Sequence, residues 1–348
     1  MTKDDESFST GLQFDGRKKL IAWGSFFVGL IALFVLFSWA GFKTITDAIS
    51  QGGFALLLLI FLYPIEIFPR AYSWILVYPK NHLPSHKLMI YVMWIGQSVN
   101  RLIPSASLGG DIIRGRILSL KGNQATNFIT SLIADKTAHA VSVLILFLLG
   151  LILLMFRITD LRIIYGMIVA ILILSLAIIF FLRLQRSSGV SAALKRFTEG
   201  KDSLLSGSST AAEKIEEKLE KIYQNPGRFI LSVSLRVVYT IALALEIWIA
   251  AWLMGYQISA FEAITLRVIS FSVRSLAFVV WGGLGVQEGA YALLSTFVGL
   301  PPATLIAISL ATRVREVAVA LPGVFLWITG EGFHAIRSRK MKILPDEN

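Results

Sequence analysis

Two polar, glycine-rich breaks interrupt an otherwise very apolar chain, and each is followed by a similar stretch. The first runs from Ser98-Val99-Asn100-Arg101-Leu102 through Pro104 to Gly109-Gly110-Asp111, the second from Ser272-Val273-Arg274-Ser275-Leu276 to Gly282-Gly283-Leu284-Gly285-Val286-Gln287-Glu288-Gly289. Behind the first, Ala125-Thr126 leads to Ser131-Leu132, Asp135-Lys136 and Ala140; at a constant offset of 178, Ala303-Thr304 leads to Ser309-Leu310, Arg313-Val314 and Ala318. In lipid, irregular backbone is tolerated only where protein or a water-filled cavity satisfies its polar groups. Two such breaks at matched places point to a site assembled from two halves. Glu66-Ile67 and Glu246-Ile247 are a candidate third matched point. The competing explanation is chance alignment, since small and apolar residues form a narrow alphabet.

Composition sets the class. A mean hydropathy of +0.70 with 55% hydrophobic residues describes a polytopic membrane protein. Candidate spans are 20–40, 53–79, 125–156, 162–183, 228–254 and 303–329; the first is followed by too many others to be a cleaved signal peptide. Without cysteine there is no disulfide or thiolate chemistry, and His82, His86, His139 and His334 lack zinc spacing, so neither metal nor cofactor is expected. The net charge of +11 does not indicate nucleic acid, because the basic residues lie between apolar spans, where they set orientation and meet anionic headgroups.

Charge counting gives a topology. If 88–120 and 262–298 are re-entrant and the N-terminus is inside, 22 lysines and arginines fall on the cytoplasmic side against Lys43, Arg157 and Arg162 outside. If 88–120 crossed instead, the basic loop at 183–228 would be pushed outward. The expected fold is therefore an all-α polytopic membrane protein of six full transmembrane helices plus two re-entrant helical hairpins, in two inverted-topology repeats. Its parts are a cytoplasmic segment 1–19, a first repeat 20–156, a second repeat 162–329 carrying an insertion at 184–227, and a basic cytoplasmic tail 330–348. In the insertion, Thr210-Ala211-Ala212-Glu213 reads as a capping box for a helix ending before Asn225-Pro226-Gly227, with Ile215, Leu219 and Ile222 as its apolar stripe. Resting on the membrane surface or inner loops is one role for it, and a regulatory partner site is another.

Eight basic residues remain within the membrane region (Arg70, Arg101, Lys136, Arg236, Arg267, Arg274, Arg313 and Arg315), with Glu66, Asp111, Asp135, Glu246, Glu288 and Glu316 as acidic counterparts. Each costs about 2.5–3.5 kcal/mol at a lipid-exposed helix centre, so they must face the interior, a wet cavity or one another. Spacing allows Glu66–Arg70 and Arg313–Glu316 pairs on single helices. The functional expectation brings Asn100, Arg101, Asp111 and Arg114 from one hairpin to Arg274, Gln287 and Glu288 from the other, with Arg313 and Arg315 binding an anion bidentately. The half-helix N-termini at the breaks (Pro104, Gly109, Gly110, Gly283, Gly285) would add backbone N–H donors. The alternative is a set of structural ion pairs that locks the hairpins together.

At these residues the chain resembles the flippase-like membrane domain of lysylphosphatidylglycerol synthases and its stand-alone relatives. The motifs are Asn100-x-x-x-Pro104 with Gly109-Gly110-Asp111-Ile112-Ile113-Arg114, and Gly283-Leu284-Gly285-Val286-Gln287-Glu288-Gly289. Arg313-Val314-Arg315-Glu316 followed by Leu321-Pro322-Gly323 looks most like the branch associated with hopanoid biosynthesis. Asp135-Lys136 stands where members often carry Glu-Arg, and Val280-Trp281 where a proline is expected. No soluble aminoacyltransferase domain follows within these residues, so a complete synthase is not expected.

The resemblance implies a lipid translocator of the bacterial inner membrane, not an enzyme, with both termini cytoplasmic. Its substrate would be a phospholipid derivative or a hopanoid or isoprenoid lipid. Membrane lipids are then the expected partners, and nucleic acid is not. Two alternatives from other classes are a membrane-embedded subunit of a lipid-modifying enzyme and a scaffold that partners a lipid-synthesis enzyme.

Overall fold

The structure, a computed structural model, describes residues 42–103, 108–157, 209–277, 280 and 283–343, with scattered positions in 31–38 and 161–176; for 209–212 and 331–343 it describes the backbone alone. Every described regular element is helical. Helix α1 (Phe42–Gly52) continues through a 3-10 segment (Gly53–Leu62) into α2 (Tyr63–Leu76). Then come α3 (His86–Leu102), α4 (Gly109–Leu120) and α5 (Ala125–Met155). The second half holds α6 (Ser209–Tyr223), α7 (Pro226–Ala242), α8 (Ala244–Leu253), α9 (Ala260–Leu276), α10 (Val286–Leu293), α11 (Ser295–Val298) and α12 (Pro302–Ile343).

Local chemistry sets the boundaries. Asn225 caps α7, accepting from the Arg228 N–H, and Pro226 occupies the first turn, where a missing N–H costs nothing. Ser259 and Glu262 form a reciprocal capping box on α9. The box expected at Thr210–Glu213 does not start α6: that helix already includes Ser209, so Thr210 lies inside it.

Three stretches are long and apolar enough to cross a membrane: Lys43–Leu76, Ala125–Met155 and Pro226–Leu253. They match the expected spans 53–79, 125–156 and 228–254, the first starting ten residues earlier. Helix α12 covers the expected span 303–329 and runs on to Ile343, but carries Arg313, Arg315 and Glu316 within one turn. Residues 1–30, most of 31–40, 177–208, Pro104 and 344–348 lie outside the described residues. With them go the N-terminal segment, most of the span 20–40, the far end of 162–183 and much of the insertion.

Apolar side chains face outward along the helices, among them Phe61 at 77% and Trp252 at 66% relative exposure, as contact with lipid requires. Inside, small and hydroxyl residues bring helices together. The Ser73 and Ser232 hydroxyls lie 2.8 Å apart, and each also reaches the other's carbonyl, joining α2 to α7. Helix α3 packs on α12 and α9 packs on α5, while α4 folds back on α3 and α10 on α9. At 12 and 8 residues, the second arms α4 and α10 fall short of the roughly 20 needed to cross the hydrocarbon core.

The α6 helix is seated rather than adrift. Ile215, Leu219 and Ile222 are buried in one cluster with Trp74, Met89 and Phe128. Lys218 Nζ donates to Asn127 Oδ1 at 2.6 Å and to Thr126 Oγ1 at 3.2 Å, in the first turn of α5.

Candidate functional site

The last turns of α3 and α9 both end against the middle of α12. There, Arg101 and Leu102 from α3, Arg274 from α9, Leu284 from the second break, and Arg313, Glu316 and Val317 from α12 line a cleft of about 130 Å³. Three arginines and one glutamate thus share its lining with three apolar residues.

Each arginine is held from behind. Glu66 on α2 accepts from Arg101 at 2.5 Å and from Arg70 at 3.0 Å. Arg274 forks onto Glu316 at 2.8 and 3.1 Å and donates to Gln287 Oε1 at 2.7 Å. The Gln287 amide is fixed in turn by donating to Ser309 Oγ at 3.0 Å. Arg313 meets the fully buried Glu288 at 2.5 Å and donates to the Gly283 carbonyl at 3.0 Å. Gly283 has φ +62°, and a Cβ there would lie 2.5 Å from the Arg274 side chain. This glycine lets the break turn sharply and pass close to the guanidinium.

Not every expected residue reaches the cleft. Arg315 is buried between Glu66 (3.0 Å) and Glu246 (2.6 Å), a position that ties α2, α8 and α12 together outside the cleft lining. Asp111 and Arg114 pair with each other at 3.3 Å, and Asp111 also pairs with Lys136 at 2.6 Å. Arg114 lies 5.5 Å over the Trp74 ring, and neither it nor Asp111 lines the cleft. Asp135 is paired with Arg236 across to α7. Arg313 and Glu316 do not pair with each other as their spacing allows, because each side chain instead reaches sideways to the second hairpin.

Two further expectations need correcting. Gly109 and Gly110 are the first residues of α4 rather than part of the break, and Gly110 packs so closely that a Cβ would lie 2.0 Å from the Gly96 carbonyl. At each half-helix start one of the expected donors is already engaged. Asn100 Oδ1 accepts from the Gly110 N–H at 2.7 Å, and the Glu288 carboxylate accepts from the Gly285 N–H at 2.9 Å.

Each half ties its short second arm by an ion pair to the helix that follows, although the 178 offset aligns Arg313 with Asp135 rather than with Lys136. Asp111 is the third residue of α4 and pairs with Lys136, the twelfth of α5; Glu288 is the third residue of α10 and pairs with Arg313, the twelfth of α12. Sequence reasoning missed the residues that shape the cleft without charge: Leu102, Leu284 and Val317 as its wall, and Ser309 behind Gln287. Ser309 had a signal in its match to Ser131 across the repeat, whereas the apolar wall looks like any membrane-helix residue. Among the described residues no group of three or more His, Asp or Glu is placed to hold a metal ion.

No curated protein and no solved structure matches the chain. The family model described as the lysylphosphatidylglycerol synthase TM region matches residues 21–323, which covers the spans, both breaks and every residue of the cleft. The chain is a membrane protein and belongs to the lysylphosphatidylglycerol synthase transmembrane-region family.

Proposed function

We propose that this protein carries a lipid headgroup between the leaflets of the bacterial inner membrane, acting as a translocator rather than an enzyme. The observation that carries the reading is the cleft, where the inner ends of α3 and α9 bring Arg101 and Arg274 against Arg313 and Glu316 of α12. A phosphate-bearing headgroup fits such a set, because guanidinium groups stay charged and bind phosphate through two parallel hydrogen bonds. When no headgroup is present, Glu316, Glu288 and Glu66 neutralise the arginines. The substrate is a phospholipid derivative or a hopanoid or isoprenoid lipid whose tail stays in the bilayer while its headgroup uses the cleft.

The accompanying architecture is six full spans with two re-entrant hairpins in inverted repeats, both termini cytoplasmic. Three features support it: the short second arms of both hairpins, the α3–α12 and α9–α5 packings at corresponding places, and an ion pair in each half from the short arm to the helix that follows. In that arrangement the two hairpins rock against each other around the cleft.

The test is leaflet exchange in vesicles. Protein reconstituted with a labelled phospholipid should equilibrate the label between leaflets, and Arg274→Gln should slow this while the protein stays folded. Exchange at the wild-type rate in Arg101→Gln, Arg274→Gln and Arg313→Gln alike would end the reading.

A further inference from the structure

Within the described residues, one membrane-region arginine lacks the counter-charge that the others have. Arg70, Arg101, Arg236, Arg274, Arg313 and Arg315 each stand within 4 Å of a carboxylate. Arg267 on α9 has no carboxylate within that distance and no hydrogen-bond partner for its buried Nε. Its guanidinium instead lies 5.6 Å over the ring of Phe271. The same ring is met edge-on by His139 of α5, with centroids 6.1 Å apart, and His139 Nδ1 is also buried without a partner.

Position along the helix gives this a direction. Residues 267, 271 and 274 are spaced i, i+4, i+7, so they form one stripe, with Arg267 two turns or about 10 Å from Arg274. All three are only partly buried. Relative to Arg274, Arg267 sits toward the Ala260 end of the helix, where Arg157, just past α5, pairs with Glu262. A guanidinium this deep without a counter-ion is costly, and a phosphate would relieve that cost.

We infer that Arg267 is a second binding position for a phosphate group, two helical turns from the cleft along the same face of α9. This rests on the reading of the cleft as a headgroup site, and it adds a separate station on the Ala260 side. Phe271 between the two arginines keeps the stations distinct and offers an apolar surface to the glycerol and upper acyl carbons of a lipid.

Native mass spectrometry of the full chain, delipidated in detergent and titrated with phosphatidylglycerol, tests this. Wild type should retain two lipids, and Arg267→Gln one, its second binding step weakened about tenfold. Arg267→Lys should keep both, which controls for folding. Diacylglycerol, lacking phosphate, should not be retained at this position. Inorganic phosphate as competitor separates the sources: displacement of the second lipid marks a site for phosphate itself, and no displacement marks one that needs the lipid, and both outcomes support the station. Two lipids bound with unchanged affinity in Arg267→Gln would overturn it, leaving Arg267 balanced through water by Glu246, whose Oε2 is buried without a partner. The cleft is judged separately: Arg274→Gln should also lose one lipid. If only that variant does, the second station fails and the cleft stands; if only Arg267→Gln does, the reverse holds.

Discussion

Arg315 Nη1 lies 3.0 Å from Glu66 Oε2, joining residues 249 apart in the chain, while Arg315 Nε lies 2.6 Å from Glu246. The two glutamates are those that the sequence pairs as a matched point between halves, so one guanidinium ties both halves to α12. Arg315→Met would leave Glu246 buried without its paired cation, while Glu66 keeps Arg70 and Arg101, and breaking a buried pair in this way costs about 3–5 kcal/mol. The expected result is a large drop in thermal stability in detergent, and a smaller one for Glu246→Gln, since Arg315 then keeps Glu66. Equal stability for Arg315→Met and wild type would show that the bridge holds nothing.

The close approach within the first hairpin makes a sharper steric prediction. A methyl at Gly110 would lie 2.0 Å from the Gly96 backbone carbonyl and 2.7 Å from the Asn100 side chain, and backbone cannot move aside cheaply. Gly110→Ala should therefore cost about 1–3 kcal/mol, typical of forced overpacking, and disturb the Asn100 cap. Gly166→Ala is the matched control, because nothing lies within 4 Å of its added methyl. Melting curves for the two variants should separate clearly.

How much of this was legible in the sequence follows from what each residue announces by itself. Charges in an apolar chain are conspicuous, so Glu66, Arg101, Arg274 and Glu288 stood out, and the Glu66–Arg70 pair follows from helical spacing alone. Partners across helices are invisible to spacing. Spacing allows Arg313 to pair with Glu316, yet it meets Glu288, because the choice depends on how α12 packs against the second hairpin. Hydroxyls and glycines at contacts, such as Ser73 with Ser232 or Gly323 against Ser98, carry no sequence label beyond being small. Spacing also hides the caps: Asn100 accepts from the Gly110 N–H and Glu288 from the Gly285 N–H, contacts set by how each break folds.

Two substitutions around one hydrogen-bonded fork should shift lipid affinity in opposite directions. Arg274→Gln removes the fork that a headgroup phosphate would use, and losing a charge-assisted interaction of about 1.5–3 kcal/mol slows leaflet exchange by about ten- to a hundredfold. Glu316→Gln removes the carboxylate that competes for Arg274 at 2.8 Å. Headgroup binding should then tighten while turnover falls, because release no longer gains from re-forming the pair. Lipid affinity and exchange rate measured on the same preparations check this; weaker binding in Glu316→Gln would contradict it.

The seating of α6 should depend on pH with an unusual sign. Partial burial of Lys218, with the Lys214 ammonium nearby, holds its pKa below the ordinary lysine value of 10.5. Docking therefore disfavours the charged form: it is weakest where docked and undocked states are both protonated. It strengthens as pH rises through the docked value, with the gain complete above the ordinary one. Neutral Lys218 can still donate to Asn127 Oδ1, so the contact at 2.6 Å survives loss of the proton. The chain has no cysteine, so a single label on Glu213→Cys reports the mobility of α6 directly. The expected result is falling mobility from neutral pH up through the lysine range. Lys218→Met should abolish this dependence while Ile215, Leu219 and Ile222 keep the helix in place. A helix that loosens over the same range in wild type would mean that its lysine–glutamate pairs, such as Lys221 with Glu217, govern the seating instead.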